Sequence, residues 1–140
     1  MAEFTNVALQ TVADGQNVLF TETPVRCCRG NIQHREGSGV FRLRSPQQGV
    51  ARYRVTFGGN IAVPTGETVG PISIALSVDG EPLASATATV TPAAVGEVNN
   101  VFTAVFVEAA CGCCATVAVE NVSGIPIEVT NANIIIERVC

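Results

Sequence analysis

Short runs of valine, isoleucine and threonine, cut at close intervals by turn residues, fill this sequence and leave little choice of fold. The breaks fall at Asp14-Gly15, Glu36-Gly37-Ser38-Gly39, Ser45-Pro46, Gly58-Gly59-Asn60, Pro64-Thr65-Gly66, Asp79-Gly80, Thr91-Pro92 and Ser123-Gly124. Glycine tolerates positive φ and proline removes a backbone donor, so such clusters end strands. No window repeats apolar residues at three and four over the length that a helix needs. The spacing predicts strands over 5–12, 17–22, 30–35, 39–44, 50–57, 70–78, 83–90, 98–109, 115–121 and 126–138. Many short strands between regular turns mark a sandwich or barrel. The clearest hairpin turns at Asp79-Gly80, because Asp-Gly accepts the positive φ angles of a tight two-residue loop.

A chain of 140 residues suits one domain, 1–140. A domain of that size buries roughly two-thirds of the surface its unfolded chain exposes, enough to fold without staples. No linker, internal repeat or collagen-like Gly-X-Y run interrupts it.

Two segments depart from the ordinary alternation of an antiparallel sandwich, in which one strand face meets the core and the other meets water. In Val101-Phe102-Thr103-Ala104-Val105-Phe106-Val107 and in Ala132-Asn133-Ile134-Ile135-Ile136, large apolar groups occur on both faces. A one-domain sandwich has no third layer to cover the second face, so we expect a subunit interface there. The composition agrees: 47% hydrophobic against 14% charged residues implies that part of the surface is covered.

All eight basic residues are arginine, namely Arg26, Arg29, Arg35, Arg42, Arg44, Arg52, Arg54 and Arg138, and the net charge is -4. Arginine offers a planar fork of donors and suits protein interfaces. Arg42, Arg44, Arg52 and Arg54 form a local basic cluster, but the acidic balance argues against a groove that tracks phosphates, so no nucleic-acid partner is expected. No segment has the length of a membrane span, and Met1-Ala2-Glu3-Phe4 lacks the order of a signal peptide. We therefore expect no membrane partner and synthesis in a bacterial cytoplasm, with exit by lysis or as part of a particle.

Several motifs together resemble a known family. Arg52-Tyr53-Arg54-Val55-Thr56-Phe57, ahead of Gly58-Gly59-Asn60-Ile61, resembles the aromatic strand of trimeric jelly rolls of the tumour-necrosis-factor and C1q type. The opening from Asn6 to Phe20 resembles the first strands of the bacterial branch, found as head domains of collagen-like spore-surface proteins. The segment from Gly70 to Val90 is similar to that branch's hairpin, and Ile134-Ile135-Ile136-Glu137-Arg138 to its last strand. The resemblance spans nearly the whole chain. It implies an antiparallel jelly-roll sandwich of about ten strands, trimeric about a three-fold axis, with the first and last strands in the inner sheet. The contact residues we expect are Leu9, Tyr53, Phe57, Phe102, Phe106, Ile134 and Ile136. Similar small domains serve as head-fibre or decoration proteins of phages of gut Firmicutes, and the lack of a collagen-like stalk favours such a virion protein over a spore protein.

Six cysteines sit in three places: Cys27-Cys28, Cys111-Gly112-Cys113-Cys114 and Cys140. They are open to three readings. Free thiols can act as small hydrophobes. Disulfides can clamp neighbouring subunits once a particle meets an oxidising environment. A zinc ion could take Cys27, Cys111, Cys113 and Cys114 as thiolate ligands, although neither Cys-Cys nor Cys-Gly-Cys-Cys has the usual two-residue spacing.

Catalytic signals are sparse. The single histidine, His34, could pair with Cys27 or Cys28, yet no partner to orient the imidazole is evident. Gly37-Ser38-Gly39 is not a nucleophile elbow, which needs Gly-x-Ser-x-Gly at a strand-to-helix turn. Glu97, Glu108 and Glu120 are dispersed, so no calcium site is expected. The reading is a non-enzymatic structural protein without cofactor that assembles with itself, as a homotrimer or beyond, and meets a capsid or surface-layer protein. Its expected place is the virion, with a spore or cell surface as the alternative. A carbohydrate- or receptor-binding module is the third class, weakened because sugar faces stack on aromatic rings and the chain has no tryptophan and only Tyr53 as tyrosine.

Overall fold

The computed structural model describes residues 1–27, 30–45, 49–110, 112 and 114–140. Among them are eleven strands and no helix: β1 (Ala2–Asn6), β2 (Gln10–Val12), β3 (Glu22–Val25), β4 (Ile32–His34), β5 (Val40–Arg44), β6 (Ala51–Ala62), β7 (Ile72–Val78), β8 (Glu81–Val90), β9 (Asn99–Ala109), β10 (Cys114–Asn121) and β11 (Ile127–Arg138). They form two antiparallel sheets. One has the order β3-β1-β11-β6-β9, with β2 also on β11, and the other β4-β5-β10-β7-β8. First and last strands pair at the middle of the first sheet, as Phe4 opposite Ile134 records.

The core lies between the sheets because alternate residues of each strand point inward. Tyr53, Phe57 and Ile61 of β6, with Ile134 and Ile136 of β11, face Phe41 and Leu43 of β5 and Ile72, Ile74 and Leu76 of β7, all fully buried. Phe20, also fully buried, lies 5.3 Å from the Phe41 ring and 6.4 Å from the Phe57 ring.

Four details correct the sequence reading. The strand expected over 5–12 is two strands, broken at Val7-Ala8-Leu9. Residues 17–21 carry one isolated bridge, Asn17 to Glu120, and regular pairing begins only at Glu22. The expected ten strands are eleven. Gly58-Gly59-Asn60, read as a turn, continues β6. Gly59 serves a close approach instead: a Cβ there would meet the Phe57 ring at 3.0 Å and Ala132 Cα at 3.5 Å. Opposite lies a bulge, where the register shifts between Thr130 and Asn133 and Asn131 takes φ 52°.

The connections sort to two ends. Residues 26–27, 30–31, 45, 49–50, 79–80, 110, 112 and 139–140 lie at one end, while 13–16, 63–71, 91–98 and 122–126 close the other. The Asp79-Gly80 hairpin is as expected, with φ 51° and 85° and Val78 opposite Glu81.

Candidate interaction face

Opposite the core, the first sheet presents a second face whose composition follows from strand register. Odd positions of β9 point inward, so Phe102, Ala104, Phe106 and Glu108 point out. Their partners on β6 are Gly58, Thr56, Arg54 and Arg52, and the β6 residues in turn meet Asn133, Ile135 and Glu137 on β11. Glu3 and Thr5 of β1 complete the rows.

Phe102 and Phe106 are 66% and 67% exposed, the largest exposures among the chain's big apolar side chains. A groove of about 510 Å³ runs beside Phe102, lined also by Met1, Arg54, Thr56, Ala104, Ile135 and Glu137. The charges on this face are matched within the chain. Arg52 pairs with Glu108 at 2.7 Å, Arg54 pairs with Glu137, and Asn133 Nδ2 donates to Glu3. Hydrogen bonds to Cys140 Sγ and Glu108, with the Glu108 charge, hold Arg52 above its ordinary pKa. Such pairing leaves an apolar centre with neutralised flanks, a surface that can be covered without stranding a charge.

This geometry redistributes the expected contact residues. Phe102, Phe106 and the 61% exposed Leu9 are available to a partner. Tyr53, Phe57, Ile134 and Ile136 are not: each is fully buried in the chain's own core, because strand parity sends it inward. The Tyr53 hydroxyl donates to Arg44 O, and burial raises its pKa.

The three described cysteines, Cys27, Cys114 and Cys140, lie towards one end. Cys114 is opposite Arg44 on β5, and Arg42 Nε donates to its Sγ at 3.2 Å. Arg52 Nη1 donates to the exposed Cys140 Sγ at 3.5 Å. Cys27 packs against the core near Tyr53. Cys28, Cys111 and Cys113 lie outside the described residues, and with them half of the zinc ligand set. Among the described residues no three His, Cys, Asp or Glu side chains group as a metal site.

Cys27 and His34 do line one cavity of about 250 Å³, with Phe4, Thr23, Arg26, Ile32 and Glu36. His34 Nε2 donates to Ser38 O at 2.9 Å, its ring stacks on Phe41 at 4.3 Å, and its buried Nδ1 has no hydrogen-bond partner. Ser38 O and Phe41 thus hold the ring, and its Nδ1 makes no hydrogen bond to a thiol as a thiol–imidazole dyad requires.

No protein-family model and no curated protein matches the chain. Solved structures do. Eiger TNF from S. frugiperda superposes with a TM-score of 0.71 at 14% identity, over 99% of this chain and 91% of that one. The globular domain of zebrafish complement 1qA protein gives 0.59 at 14% identity over 96% and 94%. The chain has the jelly-roll fold of tumour necrosis factor and C1q. Murine APRIL, at 0.52 and 12% identity over 93% and 98%, shares this TNF/C1q-like fold. Within the jelly roll, sequence reasoning missed Thr56, Ala104 and Ile135 on the outer face. Counting alternate positions back from Phe102 through the β9 and β6 ladders is the signal that finds them.

Proposed function

We propose that this chain is a non-enzymatic structural protein that assembles with two copies of itself through the outer face of the first sheet, and that it decorates a virion head or builds its fibres. The exposure of Phe102 and Phe106 on a face whose charges are already paired carries this reading. Burying a phenylalanine side chain contributes up to about 1.5–3 kcal/mol, so two in each of three copies supply a firm contact. Both rings lie on one sheet with Ala104 between them, which suits flat packing against a neighbour. Light scattering in reductant tests the assembly: a mass of three chains supports it, and a stable single chain of 14.5 kDa refutes it. Mass spectrometry of purified particles tests the location, as does the presence of capsid and portal genes beside the coding sequence.

A second reading has its own observation. Cys27, Cys114 and Cys140 come from three distant parts of the chain to one end of the sandwich, which favours a spore-coat or surface-layer subunit cross-linked through thiols. Sporulation genes as neighbours, with no particle association, would support this reading over the first.

A further inference from the structure

The two ends of the sandwich differ in charge. All eight arginines fall within 26–54 or at 138, and none lies between 55 and 137. The fold turns most of this sequence asymmetry into a spatial one; the exception is Arg35, in the β4–β5 connection beside Phe20 and away from the end that holds Arg44. Arg26, Arg44 and Arg138 stand exposed at or next to the end that holds the cysteines, with exposed Arg42 two residues from Arg44 on β5. The two side-chain ion pairs among the described residues use Arg52 and Arg54; of these four guanidinium groups, Arg42 donates to Cys114 Sγ and Arg138 to Cys140 O, and none pairs with an Asp or Glu side chain there. Asp79 and Glu81 lie at the same end, where Asp79 is occupied by the Thr116 backbone N–H at 2.9 Å and its hydroxyl at 3.2 Å.

The opposite end carries Asp14, Glu67 and Glu97 in its connections and Glu128 at the start of β11, with no cation among them. A bound metal ion is a poor explanation for this end, because no three of these carboxylates converge. Each end also exposes valines: Val50 and Val139 at the arginine end, 43% and 42% exposed, and Val69 and Val95 at the carboxylate end, 39% and 38%. Opposite charge beside matching small apolar groups makes the two ends complementary to each other and not to themselves.

We propose that assembled copies stack end to end, the arginine end of one against the carboxylate end of the next. Such a head-to-tail contact does not close on itself and builds an open filament. Like ends repel, so the charges fix the polarity of the stack. The contact uses neither Phe102 nor Phe106 and is separate from the face proposed above.

Sedimentation at about 0.01 M and about 1 M salt tests the stacking, because the Debye length falls from about 30 Å to about 3 Å between them. We expect species heavier than the basic assembly at low salt and the basic assembly alone at high salt. The mass at high salt reads the sheet-face contact by itself, so failure of one proposal is distinguishable from failure of the other. Two variants sharpen the test, Arg26→Glu with Arg44→Glu, and Glu67→Arg with Glu97→Arg. Each alone should lose the heavy species, and an equimolar mixture should regain paired assemblies, because the unchanged arginine end of one variant then meets the unchanged carboxylate end of the other. Heavy species that persist at high salt, dissolve in chelator, or fail to return on mixing would overturn the stacking.

Discussion

Arg54 and Phe106 are partners across the β6–β9 ladder, and both project from the outer face of the first sheet. Arg54 is tied to Glu137 on its other side, while Phe106 stays 67% exposed. The ladder thus sets a neutralised ion pair beside an uncovered ring, and the two kinds of residue should respond differently to substitution. Phe102→Asp and Phe106→Asp should each break self-association, seen as a fall to single-chain mass by light scattering, while the β-sheet circular dichroism persists. Ile134→Ala, on the neighbouring strand but facing inward, should instead cost about 2–5 kcal/mol of folding stability in a denaturant titration. If Phe102→Asp unfolds the chain, or leaves its mass unchanged, the face is not the contact.

Tyr53 gives the fold a pH dependence of known sign. Its hydroxyl is buried and bonded to Arg44 O, and burial raises its pKa above the ordinary value. The folded chain therefore keeps this proton more firmly than the unfolded chain does. That stability is fully present below the unfolded tyrosine pKa of about 10 and is lost as pH rises beyond it through the folded value. The denaturation midpoint of the wild type should fall more steeply between about pH 9 and about pH 11 than that of Tyr53→Phe. At neutral pH the same variant should cost about 1 kcal/mol for the lost hydrogen bond. Parallel curves for the two proteins would refute the assignment.

Two glycines separate conformational strain from collision. Gly80 has φ 85° and open space around an added Cβ, so Gly80→Ala should cost about 1 kcal/mol through backbone strain alone. Gly39 has no positive φ, yet a Cβ there would come within 2.7 Å of Asn17 Cβ and 2.8 Å of Val18 O. Gly39→Ala must push away the segment that carries the buried Val18 and Phe20, and should cost more than Gly80→Ala. Denaturant titrations of the two variants check the order.

The fold was legible because strand breaks are local. Asp79-Gly80 turns where its own φ preferences demand, and strands 72–78, 99–109 and 127–138 fall within a residue or two of their expected bounds. What a residue does across a sheet is not local, and there the sequence misled. Gly58-Gly59 looked like a turn because the bulge at Asn131 that it accommodates lies some 70 residues away, roughly half the chain, where no nearby pattern signals it. The doubly apolar strands were visible, but the side of the sheet each residue takes was not. Tyr53 and Ile134 could be placed in the core only once β6 and β11 had a register, and Thr56 could be placed outside only by the same step. Arg52 and Glu108, 56 residues apart, meet for the same reason.

The cysteine end should respond to oxidation through Cys140. Its thiol is exposed, and Arg52 holds it beside Glu108 at the rim of the outer face, where copies joined through that face would approach one another. A low-molecular-weight disulfide can supply the oxidising equivalents: one exchange places its thiol half on Cys140, and attack by a thiolate of a neighbouring copy releases that half and leaves the interchain bond. Non-reducing denaturing gels of the wild type should then show covalent multimers whose fraction is independent of protein concentration, since the partners are already assembled. Cys140→Ser should lose most of these bands and keep its mass in reductant. Bands that survive in Cys140→Ser would assign the link to other thiols, and a fraction that rises with protein concentration would mean that the copies meet only by collision.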